Sequence, residues 1–163
     1  MSANRSNIAW HLENQIPGTD RRAIGMIYEK LVEVSAAELL LLNTVPKVLV
    51  ESPGAGKVIE FLSAVFFLDW SGTDFADGGD LIIRSISDIV VSDAIPAADF
   101  MNLSADAYEV MQALSANTSL AVNDGLELYN DTQAHTGGGT STVKVLVRYC
   151  IHDFNEKHPR FDN

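Results

Sequence analysis

Pro46-Lys47-Val48-Leu49-Val50-Glu51-Ser52-Pro53-Gly54-Ala55-Gly56-Lys57-Val58-Ile59-Glu60-Phe61 admits two opposite interpretations. One is a nucleotide-binding loop, the other a pair of strands joined by a tight turn. A phosphate-cradling loop needs Gly, four residues, then Gly-Lys-Ser/Thr. Counting back from Gly56-Lys57 puts Glu51 at the first glycine and Val58 at the metal-ligating hydroxyl. The first sets a carboxylate against phosphate and the second removes the magnesium ligand, so the loop fails on chemistry. Pro53-Gly54 reads as turn punctuation, with Pro fixing φ and Gly supplying a positive φ. Val48 to Val50 before it and Val58 to Phe67 after it are rich in strand formers.

The same logic extends along the chain. Lys57 to Trp70 is the most apolar segment and predicts a central strand buried on both faces. Thr142 to Phe154 alternates cleanly, with Val143, Val145, Val147, Tyr149 and Ile151 on one face. Lys144, Leu146, Arg148, Cys150 and His152 fall on the other. Leu81–Val91 and Leu120–Tyr129 also read as strands, the second interrupted by a turn or bulge at Asp124-Gly125. Ser35-Ala36-Ala37-Glu38 is a capping box that opens a short helix through Leu42, stopped by Asn43 and Pro46. The spacing of Ile24, Ile27 and Leu31 predicts a short helix or turn after Asp20, followed by a strand near Leu31–Val34. Ala107, Val110, Met111 and Leu114 at helical spacing predict a helix over Ser104–Leu114. Ser71–Asp80, Ala94–Phe100 and Thr136–Thr140 are expected to be connections. The fold class expected is mainly β: a β-sandwich or jelly-roll-like domain with one or two short helices. An extended arm over residues 1–18 precedes a domain over 19–154, and a polar tail covers 155–163.

Composition narrows the function. The chain has 163 residues, nearly half of them hydrophobic, and a formal net charge of −11. That size suits one domain with its own core. Such an acidic chain repels nucleic acid and anionic membranes and favours solubility or a basic protein partner. Residues 1–20 carry no apolar leader core, and no run reaches the length of a membrane span. The expectation is a protein made in a reducing cytosol. Cys150, the single cysteine, excludes an internal disulfide and a Cys-rich zinc site, and its strand context makes it a small core residue.

Candidate chemistry is sparse. His11, His135, His152 and His158 form no metal-binding pair, and no nucleophile elbow accompanies His152-Asp153. They are expected to be exposed or to face loops. Asp69, Asp74, Asp77 and Asp80 lack the frame of a calcium loop, so a solvated acidic turn is expected. Gly137-Gly138-Gly139 precedes a strand, so no helix dipole would assist an anion there. Neither a catalytic residue, a cofactor nor a metal is expected.

Several phrases, taken in order, resemble a group of small virion proteins of tailed phages. They are Ala37-Glu38-Leu39-Leu40, Leu42 to Pro46, Glu51 to Ile59, Asn123-Asp124-Gly125-Leu126, and Thr136 to Thr140 leading into Val143–Tyr149. The likeness covers roughly residues 35 to 152 and rests on turn and strand phrases. It implies a β-rich capsid decoration or cement protein, commonly a homotrimer, whose partner is the major capsid protein or another virion subunit. Its location would be the virion, after synthesis in the host cytoplasm. On that expectation the arm docks on the shell through Trp10 and Ile16. The alternative is a head- or tail-fibre component that binds a host-surface glycan or receptor through Trp70, Phe75 or Tyr129. A hydrolase of another type would need carboxylates converging in a cleft.

Overall fold

A computed structural model describes residues 27–115 and 118–153 of the chain. Trp10, Ile16, the arm and the tail 155–163 lie outside the described residues, as does the start of the helix expected after Asp20. The strands are β1 (Ile27–Val34), β2 (Lys47–Val50), β3 (Lys57–Asp69), β4 (Phe75–Asp77), β5 (Leu81–Ser85), β6 (Ala107–Gln112), β7 (Leu126–Asn130), β8 (His135–Gly137) and β9 (Thr142–Asp153). One helix, α1 (Ala36–Leu41), follows β1. The strands form a four-stranded sheet ordered β1-β9-β3-β6, a three-stranded sheet ordered β2-β7-β5, and a small β4-β8 ribbon. All pairings are antiparallel. The fold is mainly β and sandwich-like, as the sequence implies.

Alternation builds the core. Val143, Val145 and Val147 on β9, Ala64, Phe66 and Leu68 on β3 and Val34 on β1 turn inward from the larger sheet. Leu49 and Val50 on β2, Leu81 and Ile83 on β5, and Leu126 and Leu128 on β7 meet them from the other sheet. Phe66 and Phe100 pack edge to face with centroids 6.0 Å apart, a favoured aromatic geometry.

The turn after Val50 carries the chain from one sheet to the other. Lys57 N–H donates to Gly54 O at 3.2 Å. Gly54 and Gly56 both hold positive φ, at 101° and 77°, conformations that a side chain disfavours. A strand, not a helix, follows Gly56-Lys57, so the backbone lacks the helix N-terminus on which a phosphate loop depends.

The expected connections Ser71–Asp80 and Thr136–Thr140 hold the short strands β4 and β8, and the strand expected from Leu120 begins at Leu126; four further expectations need correction. Residues 107–112 are strand β6, not a helix; they pair with β3, Val65 facing Val110 and Phe67 facing Tyr108. Tyr108 and Val110 favour strands, and the open edge of β3 supplies ladder partners that an isolated helical turn cannot match. Second, the strand at Leu31–Val34 begins at Ile27, because β9 offers a partner at every position from Ile27 to Val34. Third, Leu81–Val91 is not one strand. Ser85 N–H donates to Ile89 O at 2.8 Å, and the chain doubles back beside β5 with Val91 N–H donating to Ile83 O. That returning segment also bonds to the end of β6, through Asp93 N–H to Gln112 O at 2.9 Å and Leu114 N–H to Val91 O at 3.1 Å. It thereby stitches the two sheets together along one side. Fourth, β3 is central but its outer face is buried only at its start, at Val58, while Ser63, Val65 and Phe67 on that face are half-buried. A bulge at Leu62, between the Phe61–Tyr149 and Ser63–Arg148 pairs, bends it.

α1 caps the opposite side of the sandwich. Ser35 Oγ accepts from Glu38 N–H while Glu38 reaches back to Ser35 N–H, the full capping box. Leu39 and Leu42 are buried against the core, and Asn43 Nδ2 donates to Asn130 O at 3.1 Å.

Candidate functional site

The outward face of the four-stranded sheet carries three rows of side chains that run across the strands. The middle row is Leu31 (β1), Leu146 (β9), Val65 (β3) and Val110 (β6), each directly opposite the next. All four are apolar. The edge members Leu31 and Val110 are 65% and 54% exposed. The row above it is Glu33, Lys144, Phe67 and Tyr108. The row below is Glu29, Arg148, Ser63 and Gln112.

These rows are ordered by cross-strand contacts. Phe67 and Tyr108 stack with centroids 4.7 Å apart, although Tyr108 remains 71% exposed. Lys144 Nζ lies 5.5 Å from the Phe67 ring and 3.3 Å from Asp69 Oδ2. Arg148 Nε forms an ion pair with Glu29 Oε1 at 3.1 Å. Both positive charges on this face are thus paired, while Glu33, beside the apolar row, makes no ion pair among the described residues. Aliphatic side chains contiguous on an exposed sheet surface gain by being covered.

The aromatic trio named for a glycan does not converge. Phe75 is buried. Trp70 donates from its indole Nε1 to Asp74 Oδ1 at 2.9 Å. Tyr129 sits on the three-stranded sheet beneath Arg84, whose guanidinium carbon is 3.7 Å from the ring centroid. Arg84 in turn donates to Glu127 Oε1 at 2.8 Å. Glu127 is buried and Arg84 largely so, and the cluster satisfies itself within the sheet.

The acidic loop is dispersed into separate bonds. Asp69 pairs with Lys144, Asp74 accepts from Trp70 and Ser104, Asp77 accepts from Thr136 Oγ1, and Asp80 accepts from Ala97 N–H. Among the described residues, no group of three His, Cys, Asp or Glu side chains is placed to share a metal ion.

His135 departs from expectation. It is 2% exposed, not loop-facing, and lies edge-on to Phe75 at 6.1 Å. Among the described residues neither ring nitrogen makes a hydrogen bond of good geometry. Burial pushes its pKa down, opposed in part by the Asp77 backbone. His152 Nε2 lies 2.7 Å from Glu60 Oε2, while His11 and His158 fall outside the described residues. Cys150 is buried as expected. Burial, with Glu60 adding to it, pushes its thiol pKa up, away from the thiolate form a nucleophile needs.

The described residues include no helix long and apolar enough to cross a membrane. Comparisons with protein-family models, characterised proteins and solved structures give no match. Sequence patterning identified the outward set Lys144, Leu146 and Arg148, but not the rows. Those depend on register across strands far apart in the chain, and Val110 stood in a segment predicted to be helical.

Proposed function

We propose that this chain is a structural virion protein of a tailed phage that binds the capsid shell as a decoration or cement protein and works as a homotrimer. The observation that carries the reading is the unbroken apolar row Leu31–Leu146–Val65–Val110 on an exposed sheet face. Such a surface suits contact with another protein. The aromatic side chains considered for sugar binding are buried or already engaged, so the fibre alternative has less behind it. The phrase-level resemblance to small virion proteins supplies the setting, and the mainly β fold agrees with it. The mechanism is mechanical. Sandwich domains associate through apolar faces, the arm with Trp10 and Ile16 reaches the major capsid protein, and each extra attachment raises the effective affinity of the others.

The test is co-sedimentation with shells that lack the protein. The full chain is expected to pellet with them, and a chain lacking residues 2–18 is expected to stay in solution while remaining a folded trimer. Retained binding by the truncated chain would rule out the arm as the attachment device, and absence of binding by the full chain would overturn the decoration role.

A further inference from the structure

We propose that the β4-β8 ribbon is a pH-sensitive flap. With His135 neutral it closes on α1 and the core, and protonation of that ring releases it while the two larger sheets stay folded. The device is independent of the shell-binding role.

The ribbon is built to move as a unit. Its two strands have three residues each and pair only with one another. It can therefore leave without breaking a ladder of either larger sheet. Two buried side chains hold it down. Phe75, part of the core cluster, is 1% exposed and His135 is 2% exposed, and the two rings meet edge to face. α1 packs against β8. Opening the ribbon thus uncovers Phe75 and loosens a six-residue helix that depends on packing.

His135 occupies a place fit only for a neutral ring. A Cβ on Gly78 would stand 1.9 Å from Nδ1, so the Gly78 backbone lies against that nitrogen and leaves no room for a water. The Asp77 backbone, opposite His135 in the ribbon ladder, favours the charged form, but burial disfavours it more. The ionisable side chains on the surrounding elements are engaged with other partners. On β4, Asp77 accepts from Thr136 Oγ1. Before β5, Asp80 accepts from Ala97 N–H. After β7, Asp131 accepts from Asp80 N–H. On α1, Glu38 accepts from Lys47 of β2. None of them bonds to the imidazole. A protonated ring carries two donors, and a buried charge without partners is costly. Moving the ring into water satisfies both donors, and only the ribbon has to move with it. The open form takes up the proton at the ordinary value of 6.5, so opening is favoured increasingly as pH falls below that value.

The test is amide hydrogen exchange, followed by NMR on the full chain at about pH 7.5 and about pH 5.5, on either side of the free-histidine value. Gly138 N–H, bonded to Asp74 O, and Gly79 N–H, bonded to Gln133 O, report on the ribbon. Phe66 N–H in β3 reports on the larger sheets. After correction for the chemical exchange rate, the two ribbon amides are expected to exchange several-fold faster at the lower pH. The ceiling is about tenfold, set by one protonation one unit below 6.5. They are also expected to respond little to urea, unlike Phe66, because a local opening exposes little surface. The acceleration is expected to disappear in His135→Leu and in His135→Gln, the second keeping a polar side chain that cannot take a charge. Ribbon amides that share the urea dependence of Phe66 overturn the flap, since the ribbon then opens only with the whole molecule. An acceleration that is absent from the wild type, or that persists in both variants, also overturns it. Ring signals of His135 followed in the wild type need no substitution. If they titrate at the ordinary value while ribbon exchange stays constant, the charge is carried in place and the proposal is refuted.

Discussion

Glycine 138 illustrates how one atom constrains this molecule. Its φ is +77°, and a Cβ there would stand 2.0 Å from the Phe75 ring. Gly138→Ala therefore strains the backbone and drives a methyl into a buried ring, and a loss of about 2–4 kcal/mol is expected from urea midpoints. Gly125 is confined differently. An added Cβ would lie 2.5 Å from Val50 O, so the residue expected as part of a turn or bulge is there for close backbone approach. The positive φ of that turn falls on Asn123, at 56°. His135 sets a pH response. Its folded pKa lies below the ordinary value of 6.5 because the ring is buried. The unfolded chain therefore binds the proton more readily, and stability present above about pH 6.5 is lost as pH falls toward the folded pKa. Urea midpoints are expected to drop between about pH 7.5 and pH 5.5, on either side of the free-histidine value. The His135→Leu variant is expected to lose most of that drop; an unchanged slope would assign it to other groups. Spacing along the chain gave no hint of this burial, since His135 stands alone in Asp131-Thr132-Gln133-Ala134-His135-Thr136, just ahead of a glycine run.

At the level of elements, α1 is six residues long, too short to persist without its cap and its packing. Ser35→Ala removes the cap and is expected to cost about 1 kcal/mol in thermal or urea unfolding. Lys47, donating to the Glu38 carboxylate, and then the Ser35 amide pull the Glu38 pKa down to about 2. Stability from that pair is complete above the ordinary value of 4.5 and declines as pH falls toward 2. Glu38→Gln is expected to flatten the acid limb of a melting-temperature profile in that window; a profile identical to wild type would show that the pair contributes nothing. The cap was legible in the sequence because all its parts lie within four residues. β6 was not. Ala107, Val110, Met111 and Leu114 satisfy helical spacing, whereas only Met111 is buried in the core, through strand alternation. Short apolar segments fit both periods, and the unpaired edge of β3 selects the strand.

For the molecule as a whole, the core couples both sheets. Phe66→Ala, at a site with no exposure, is expected to cost about 3–5 kcal/mol by chemical denaturation. The net charge of −11 acts on everything at once. Raising salt from very low levels to about 0.1 M, where the screening length is about 10 Å, is expected to raise the melting temperature. A fall would mean that attractive surface pairs outweigh the general repulsion. The sequence by itself determined the β class, the turn at Gly54–Lys57 in place of a phosphate cradle, the capping box and the alternation of β9, because each is written in residues close together in the chain. Tertiary structure alone decided that Tyr108 and Val110 extend a sheet and that the segment after β5 turns back to join both sheets. It also decided that Leu31, Leu146, Val65 and Val110 form one row. Those outcomes depend on which distant strands become neighbours and in what register, and cross-strand hydrogen bonding fixes that only once the chain has closed around its core.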